Sequence, residues 1–248
     1  MSKHAIISDI HGNLEALQAV LADIDSVDIR RIVCLGDLVG YGPNPVECLQ
    51  TLERYRVTIL GNHELALTEG GQRFNARARR AIEWTAKELQ STEEGKDLFA
   101  QASAFPRSHQ QDGILYVHGS PCDPTNEYLL PKKASQPDLL LPQFEKFDRY
   151  CFVGHTHLPG VFEPGRRFEK PEEMLMNIFM LDADSKAIVN VGSVGQPRDR
   201  NPDACYVLFD GDSVVFRRVA YDVKKTAKKI KANPMLDDWL GDRLLEGR

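Results

Sequence analysis

The sequence predicts an α/β fold in four layers, an α/β/β/α sandwich of two sheets stacked face to face with helices outside. Two observations predict it. Short apolar runs alternate with amphipathic stretches through the first 154 residues, as in βα units. After Gly154 the pattern changes to strands without long helices, which implies a second, largely antiparallel sheet. Two sheets cover their apolar faces by stacking and by taking helices on the outside. At 248 residues a single domain can hold this architecture, with residues 223–248 as a helical tail.

Five early strands are expected at residues 3–8, 31–36, 56–60, 114–117 and 150–154, each short, rich in Ile, Val and Leu, and bounded by Gly, Asn or Asp. Between the first two, Leu14, Leu17, Val20, Leu21 and Ile24 recur at helical spacing behind Asn13, which can cap. The next helix has Asn44 as cap, Pro45 in first position, Glu47 where a capping box puts its acid, and Leu49 and Leu52 as its apolar side. Helices are expected over 75–89 and 93–104, joined by the polar stretch 90–92. Residues 131–142, with three prolines, read as an extended loop. Later strands fall near 178–181, 187–191, 204–209 and 213–219. Lys224, Lys225, Lys228, Lys229 and Lys231 give a closing helix a solvated basic face.

Hydrophobic residues at 42% and charged residues at 27% are ordinary for a globular protein. No run of about 18 apolar residues exists, and Asp9 interrupts the N-terminal stretch too early for a secretory signal, so a cytoplasmic location is expected. The five cysteines include no CxxC pair, which fits reduced thiols, and Cys34 and Cys151 read as core. A formal net charge of −5 opposes non-specific nucleic-acid binding, which draws on clustered Lys and Arg. It does not exclude phosphate substrates, because bound cations override the sign of the whole protein locally.

The chemistry lies where polar residues meet strand ends. The five early strands run into Asp9-Ile10-His11, Gly36-Asp37, Gly61-Asn62-His63-Glu64, His118-Gly119 and Gly154-His155-Thr156-His157. In open α/β sheets ligands bind outside the carboxyl ends of the strands, so these groups should converge. If the backbone stays extended, Asp9 with His11, and His155 with His157, face the same side, and each pair could share one cation. Carboxylate, amide and imidazole donors together suit Mn, Zn or Fe better than Ca. His4 and His109 lie outside these segments and read as ordinary core or surface residues.

This order of motifs resembles the calcineurin-like metallophosphoesterase superfamily over nearly the whole chain. Residues 8–13, 36–43 and 192–198 resemble more narrowly the bacterial and archaeal members grouped with diadenosine tetraphosphatases, small phosphodiesterases and Ser/Thr phosphatases. The resemblance implies two metal ions: one on Asp9, His11 and His157, the other on Asn62, His118 and His155, with Asp37 bridging. It implies His63 as the catalytic histidine. Glu64 stands where many phosphodiesterase relatives have Asp and phosphoprotein phosphatases have Glu, and Val191 replaces a common Pro before Gly192-Ser193. Two cations about 3.5–4 Å apart can clamp a phosphoryl group and lower the pKa of a bridging water, so that a hydroxide attacks in line. His63 would then protonate the leaving oxygen, with Glu64 as its orienter. Asn62, Ser193 and Arg198 are expected to touch substrate, Arg198 through a bidentate phosphate contact.

The expected reaction is hydrolysis of a small phosphodiester or nucleotide-type phosphate ester. The alternatives are a phosphomonoesterase or Ser/Thr phosphoprotein phosphatase, a metal-dependent binding scaffold without catalysis, and a metal-dependent amidohydrolase. Expected partners are the small substrate and a second copy of the chain, packing through the apolar stretch Met235, Leu236, Trp239 and Leu240 or burying it on its own body. No membrane partner and no stable nucleic-acid binding are expected.

Overall fold

The computed structural model describes residues 3–182 and 184–248. Two mixed sheets form its centre. The first contains β1 (His4–Ile7), β2 (Ile32–Cys34), β3 (Val57–Thr58), β8 (Ile178–Met180), β10 (Ala204–Phe209) and β11 (Ser213–Val219), in the order β3-β2-β1-β10-β11-β8. The second runs β4-β5-β6-β9-β7, from β4 (Ser108–Gln111), β5 (Ile114–Val117), β6 (Tyr150–Val153), β7 (Gly160–Phe162) and β9 (Ala187–Asn190). Strands β1, β2 and β3 are mutually parallel, as are β5, β6 and β9, while the remaining pairings are antiparallel.

The alternation of side chains along β1 shows how the layers form. Ala5 and Ile7 join a cluster with Leu17, Val20 and Ile24 of α1 (Leu14–Ser26), whereas Ile6 joins Tyr116, Phe152 and Val189 between the sheets. On the far face of the second sheet, Val117, Cys151 and Ile188 meet Leu140 and Phe144 of α6 (Pro137–Phe144). The layers are therefore α/β/β/α, as the sequence predicts.

The division of strands differs from the expectation. Strands after Gly154 do not build a sheet of their own: β8, β10 and β11 extend the first sheet, and β7 and β9 extend the second. Their apolar runs specify strand formation but not which open edge each one finds. Residues 131–142 are not extended either. They form a 3-10 turn (Pro131–Ser135) and then α6, where Pro137 opens the helix and burial of Leu140 and Phe144 outweighs the break that Pro142 would impose.

The expected helices are α1, α2 (Pro45–Leu49), α4 (Ala76–Leu89), α5 (Glu93–Ser103) and α7 (Val223–Ala232); α3 (Asn62–Glu69) and α8 (Asp238–Leu245) complete the set. Asn13, Asn75 and Thr92 cap α1, α4 and α5 by accepting from the backbone N–H three residues on. Asn44 makes no such bond and instead donates to Glu47. The lysine face of α7 is only partly solvated. Lys225 and Lys229 reach Glu15 at 3.2 and 2.6 Å, and the Thr226 hydroxyl bonds Asn13 and Glu15, which docks α7 on α1. Leu236 and Leu240 bury against Ala81 on the same chain, whereas Met235 and Trp239 stay exposed. No helix among the described residues is long and apolar enough to cross a membrane.

Candidate metal centre

The carboxyl ends of the parallel strands of both sheets meet at one place. There the chain leaves β1 and β2 side by side, with Asp9 N–H donating to Gly36 O, His11 N–H to Asp37 O and Gly12 N–H to Leu38 O. The backbone is not extended at the site. Asp9, His11, Asp37, His155 and His157 all have φ between 50° and 63°, in the left-handed region that non-glycine residues rarely enter. The rule that alternate residues share a face therefore fails. Asp9 and His11 do face one cluster together with His157, but His155 turns to another, with Asp37 and His118.

In the first cluster His157 Nε2 lies 3.2 Å from Asp9 Oδ1 and 3.2 Å from His11 Nε2. In the second, His118 Nε2 lies 3.0 Å from Asn62 Oδ1, 3.1 Å from His155 Nδ1 and 3.3 Å from Asp37 Oδ2. Asp37 Oδ2 is also 3.7 Å from His11 Nε2, so this carboxylate stands between the clusters.

The hydrogen bonds behind these atoms settle what they present. His11 Nδ1 faces the carbonyl of Val39, His118 Nδ1 that of Leu35, His157 Nδ1 that of Gln196 and His155 Nε2 that of Asn126, at 2.5–3.2 Å. Each carbonyl needs an N–H opposite it, which fixes the tautomer and points the other nitrogen's lone pair inward. The carboxylates are split likewise: Asp9 Oδ2 accepts from His155 N–H and Asp37 Oδ1 from His63 N–H, while Asp9 Oδ1 is buried with no hydrogen-bond donor. Buried lone pairs converging at these separations repel one another unless a cation lies among them. The donor set thus fits two metal ions, held by Asp9, His11 and His157 and by Asn62, His118 and His155, with Asp37 facing both.

Burial governs the titration of these groups. It pushes His11 and His157 below the ordinary histidine range and His155 to about 3, which keeps them neutral donors. For His118 burial acts in the same direction, but the adjacent Asp37 charge and hydrogen bond override it and lift the group to about 9, so His118, unlike the other three, has to release its Nε2 proton before it can ligate a cation.

His63 lies at the edge of both clusters. It begins α3, with Nε2 4.0 Å from Asp37 Oδ2 and its ring against those of His11, Tyr41 and Phe74. Nδ1 is buried without a partner, and a Cβ at Gly40 would lie 2.0 Å from it. Only a residue without a side chain fits there. Having no acceptor at Nδ1, the neutral ring best keeps its proton on Nε2, toward the clusters.

Two expected roles are corrected. Glu64 does not orient His63: Oε2 accepts from Asp37 N–H and Gly61 N–H, and Oε1 from Val39 N–H, so it pins the Asp37 loop to the start of α3. Ser193 does not face a substrate: its buried hydroxyl donates to Asp9 O and accepts from Gln196 N–H. Arg198 does reach the rim, with its backbone N–H on His157 O. Sequence reasoning passed over Tyr128, stacked on His155 at 3.7 Å, and the helical state of α3. The Gly61-to-Glu64 spacing was a usable helix-start signal; Tyr128 had none.

The comparisons with known proteins show the family. A sequence profile described as the calcineurin-like phosphoesterase superfamily domain matches residues 2–213. An uncharacterized protein of Methanocaldococcus jannaschii is 38% identical over 250 residues, 98% of each chain. A metallophosphoesterase from Sphaerobacter thermophilus has a TM-score of 0.84 at 32% identity, covering 100% of this chain and 99% of its own. A hypothetical protein from Pyrococcus horikoshii shares the fold at a TM-score of 0.78 and 21% identity, with 100% and 99% covered. The chain belongs to the calcineurin-like phosphoesterase superfamily.

Proposed function

We propose that this protein is a two-metal phosphoesterase that hydrolyses small phosphodiesters or nucleotide-type phosphate esters. The observation that carries this reading is the position of Asp37, whose free carboxylate oxygen stands between two clusters of inward-facing lone pairs. The imidazole, amide and carboxylate donors suit Mn, Zn or Fe. A pair of such ions supplies a polarised phosphoryl group and a water of lowered pKa. The chain's own residues do the rest. His63 would act in its imidazolium form, giving the Nε2 proton to the departing oxygen and returning to the neutral ring. Burial keeps the free imidazolium unfavourable, at about 4, and the negative charge of an arriving phosphate opposes that burial. Arg198 offers its guanidinium at the rim. Tyr41, Phe74 and Tyr128 narrow the approach. Beside Asn62 a groove of about 180 Å³, lined by Leu65, Gln72, Arg73, Phe74 and Asn126 among others, accepts a small leaving group better than a polypeptide.

The test is hydrolysis of bis-p-nitrophenyl phosphate and p-nitrophenyl phosphate by protein stripped with a chelator and then reloaded with Mn. Activity should vanish and return. Asp37→Asn should lower the bound stoichiometry at both positions, read by elemental analysis. Undiminished turnover in stripped protein would refute the reading, as would two tightly held ions in Asp37→Asn.

A further inference from the structure

Residues 214–248 lie outside the segment that the superfamily profile matches, yet part of them sits at the rim of the metal centre. Ile230 of α7 and Leu236, Leu240 and Leu244 around α8 form a cluster with Ala81, and Tyr41 packs against it. The Tyr41 ring also meets those of His11 and His63, at centroid distances of 4.8 and 4.5 Å. Arg243 precedes Leu244 on α8, its guanidinium carbon 4.5 Å over the Trp239 ring and its Nε–H donating to the main-chain oxygen of Arg248. Gly247, just past the helix, accepts from Arg200 N–H at 2.8 Å, while Arg198 N–H donates to the carbonyl of His157 at 3.3 Å. Residues 198–200 therefore splice the end of α8 to a metal ligand.

Two arginines, Arg198 and Arg243, lie on this splice. Arg217 makes a two-pronged bond to Asp23, and Arg218 pairs with Asp199. Arg198 bonds Gln196 Oε1 through Nη2, at 3.0 Å, and the Tyr128 hydroxyl, while its buried Nε has no acceptor. Among the described residues neither Arg198 nor Arg243 is paired with an Asp or Glu side chain. A half-buried guanidinium without an opposite charge beside it is stabilised by the arrival of an anion.

We propose that Arg198 and Arg243 form an anion clamp beside the metal centre, which selects phosphate esters carrying a second phosphoryl group next to the scissile one, of the nucleoside diphosphate or polyphosphate class. This rests on the phosphoesterase reading for its choice of substrate. Guanidinium forks match phosphate oxygens in pairs, and two forks match two adjacent phosphoryl groups better than one. Burial, and next the charge of Arg198, lowers Arg243 to about 10, so it remains cationic at neutral pH.

The test uses full-length, Mn-loaded protein and calorimetric titration with AMP and with α,β-methylene-ADP, which differ by one phosphoryl group. The wild type should bind the diphosphate at least about tenfold more tightly, the worth of one or two charge-assisted hydrogen bonds. Arg243→Gln should reduce that preference below about threefold, and Arg243→Lys, which keeps charge without the fork, should retain part of it. The ratio of kcat/KM for ADP over p-nitrophenyl phosphate should fall about tenfold in Arg243→Gln. Equal affinities for the two nucleotides in wild type, or a preference unchanged in both variants, would overturn the clamp. Should no ester be hydrolysed at all, the phosphoesterase reading fails while the binding preference still stands or falls by itself.

Discussion

At the scale of single residues, five of the seven metal-facing groups occupy left-handed backbone, which costs on the order of 1–3 kcal/mol each and persists only where the surroundings hold it. Glu64 is one such holder. Glu64→Ala would strand three buried N–H groups, those of Asp37, Val39 and Gly61, and should destabilise the protein by about 2–4 kcal/mol while weakening metal binding. Denaturant melts and metal titration check this; a variant as stable as wild type would remove Glu64 from that role. His63 makes a different prediction, since its ring lies beside the clusters and not behind them. His63→Ala should keep both ions and lose about 10²–10⁴-fold in kcat, the usual worth of a positioned acid, with a smaller loss for substrates whose leaving group needs no proton. Loss of metal instead would make His63 a ligand.

Between elements, the contact joining α1 to β10 and β11 is electrostatic as well as apolar. Asp23 on α1 accepts Nε and Nη2 of Arg217 at 2.8 and 2.7 Å and the Tyr206 hydroxyl at 2.7 Å. The Arg217 hydrogen bond foremost, set against burial, holds the Asp23 carboxyl below the ordinary range. A depressed carboxylate stabilises the fold above its unfolded pKa of about 4, and that share is lost as pH falls through the folded value. Asp23→Asn should therefore cost about 1 kcal/mol near pH 7, and progressively less below pH 4, in melts followed across pH. The ligand-bearing strands were legible because short β-branched runs ended in Gly, Asp or His, as at residues 31–37 and 150–157. The helix α3 was not, because its buried face mixes Asn62, His63 and Glu64 with Ala66 and Leu67, and no apolar period marks it. Polar residues of the site replace core residues there. The sheet membership of β8, β10 and β11 was hidden for another reason: strand sequences encode a face, not a neighbour.

For the whole molecule, two ions held at the proposed centre by the folded state alone would couple metal to stability. At a hundredfold excess over Kd each site contributes about 2.7 kcal/mol, and a chain of this size gains roughly 2–4 °C per kcal/mol. Reloading with Mn should accordingly raise Tm by about 10–20 °C over chelated protein in calorimetry; an unchanged Tm would mean that the ligands are not gathered by folding. The pairing of β1 with β10 has a consequence in time. Ile6 lies opposite Val207, so the strand that delivers Asp9 finds its neighbour only after some 200 intervening residues have been made. Contacts this distant in sequence slow folding and leave early strands with open edges. On the ribosome the β1–β3 unit has to wait beside an uncovered strand, exposed to aggregation, and the metal ions can be loaded into a complete centre only after synthesis is nearly finished.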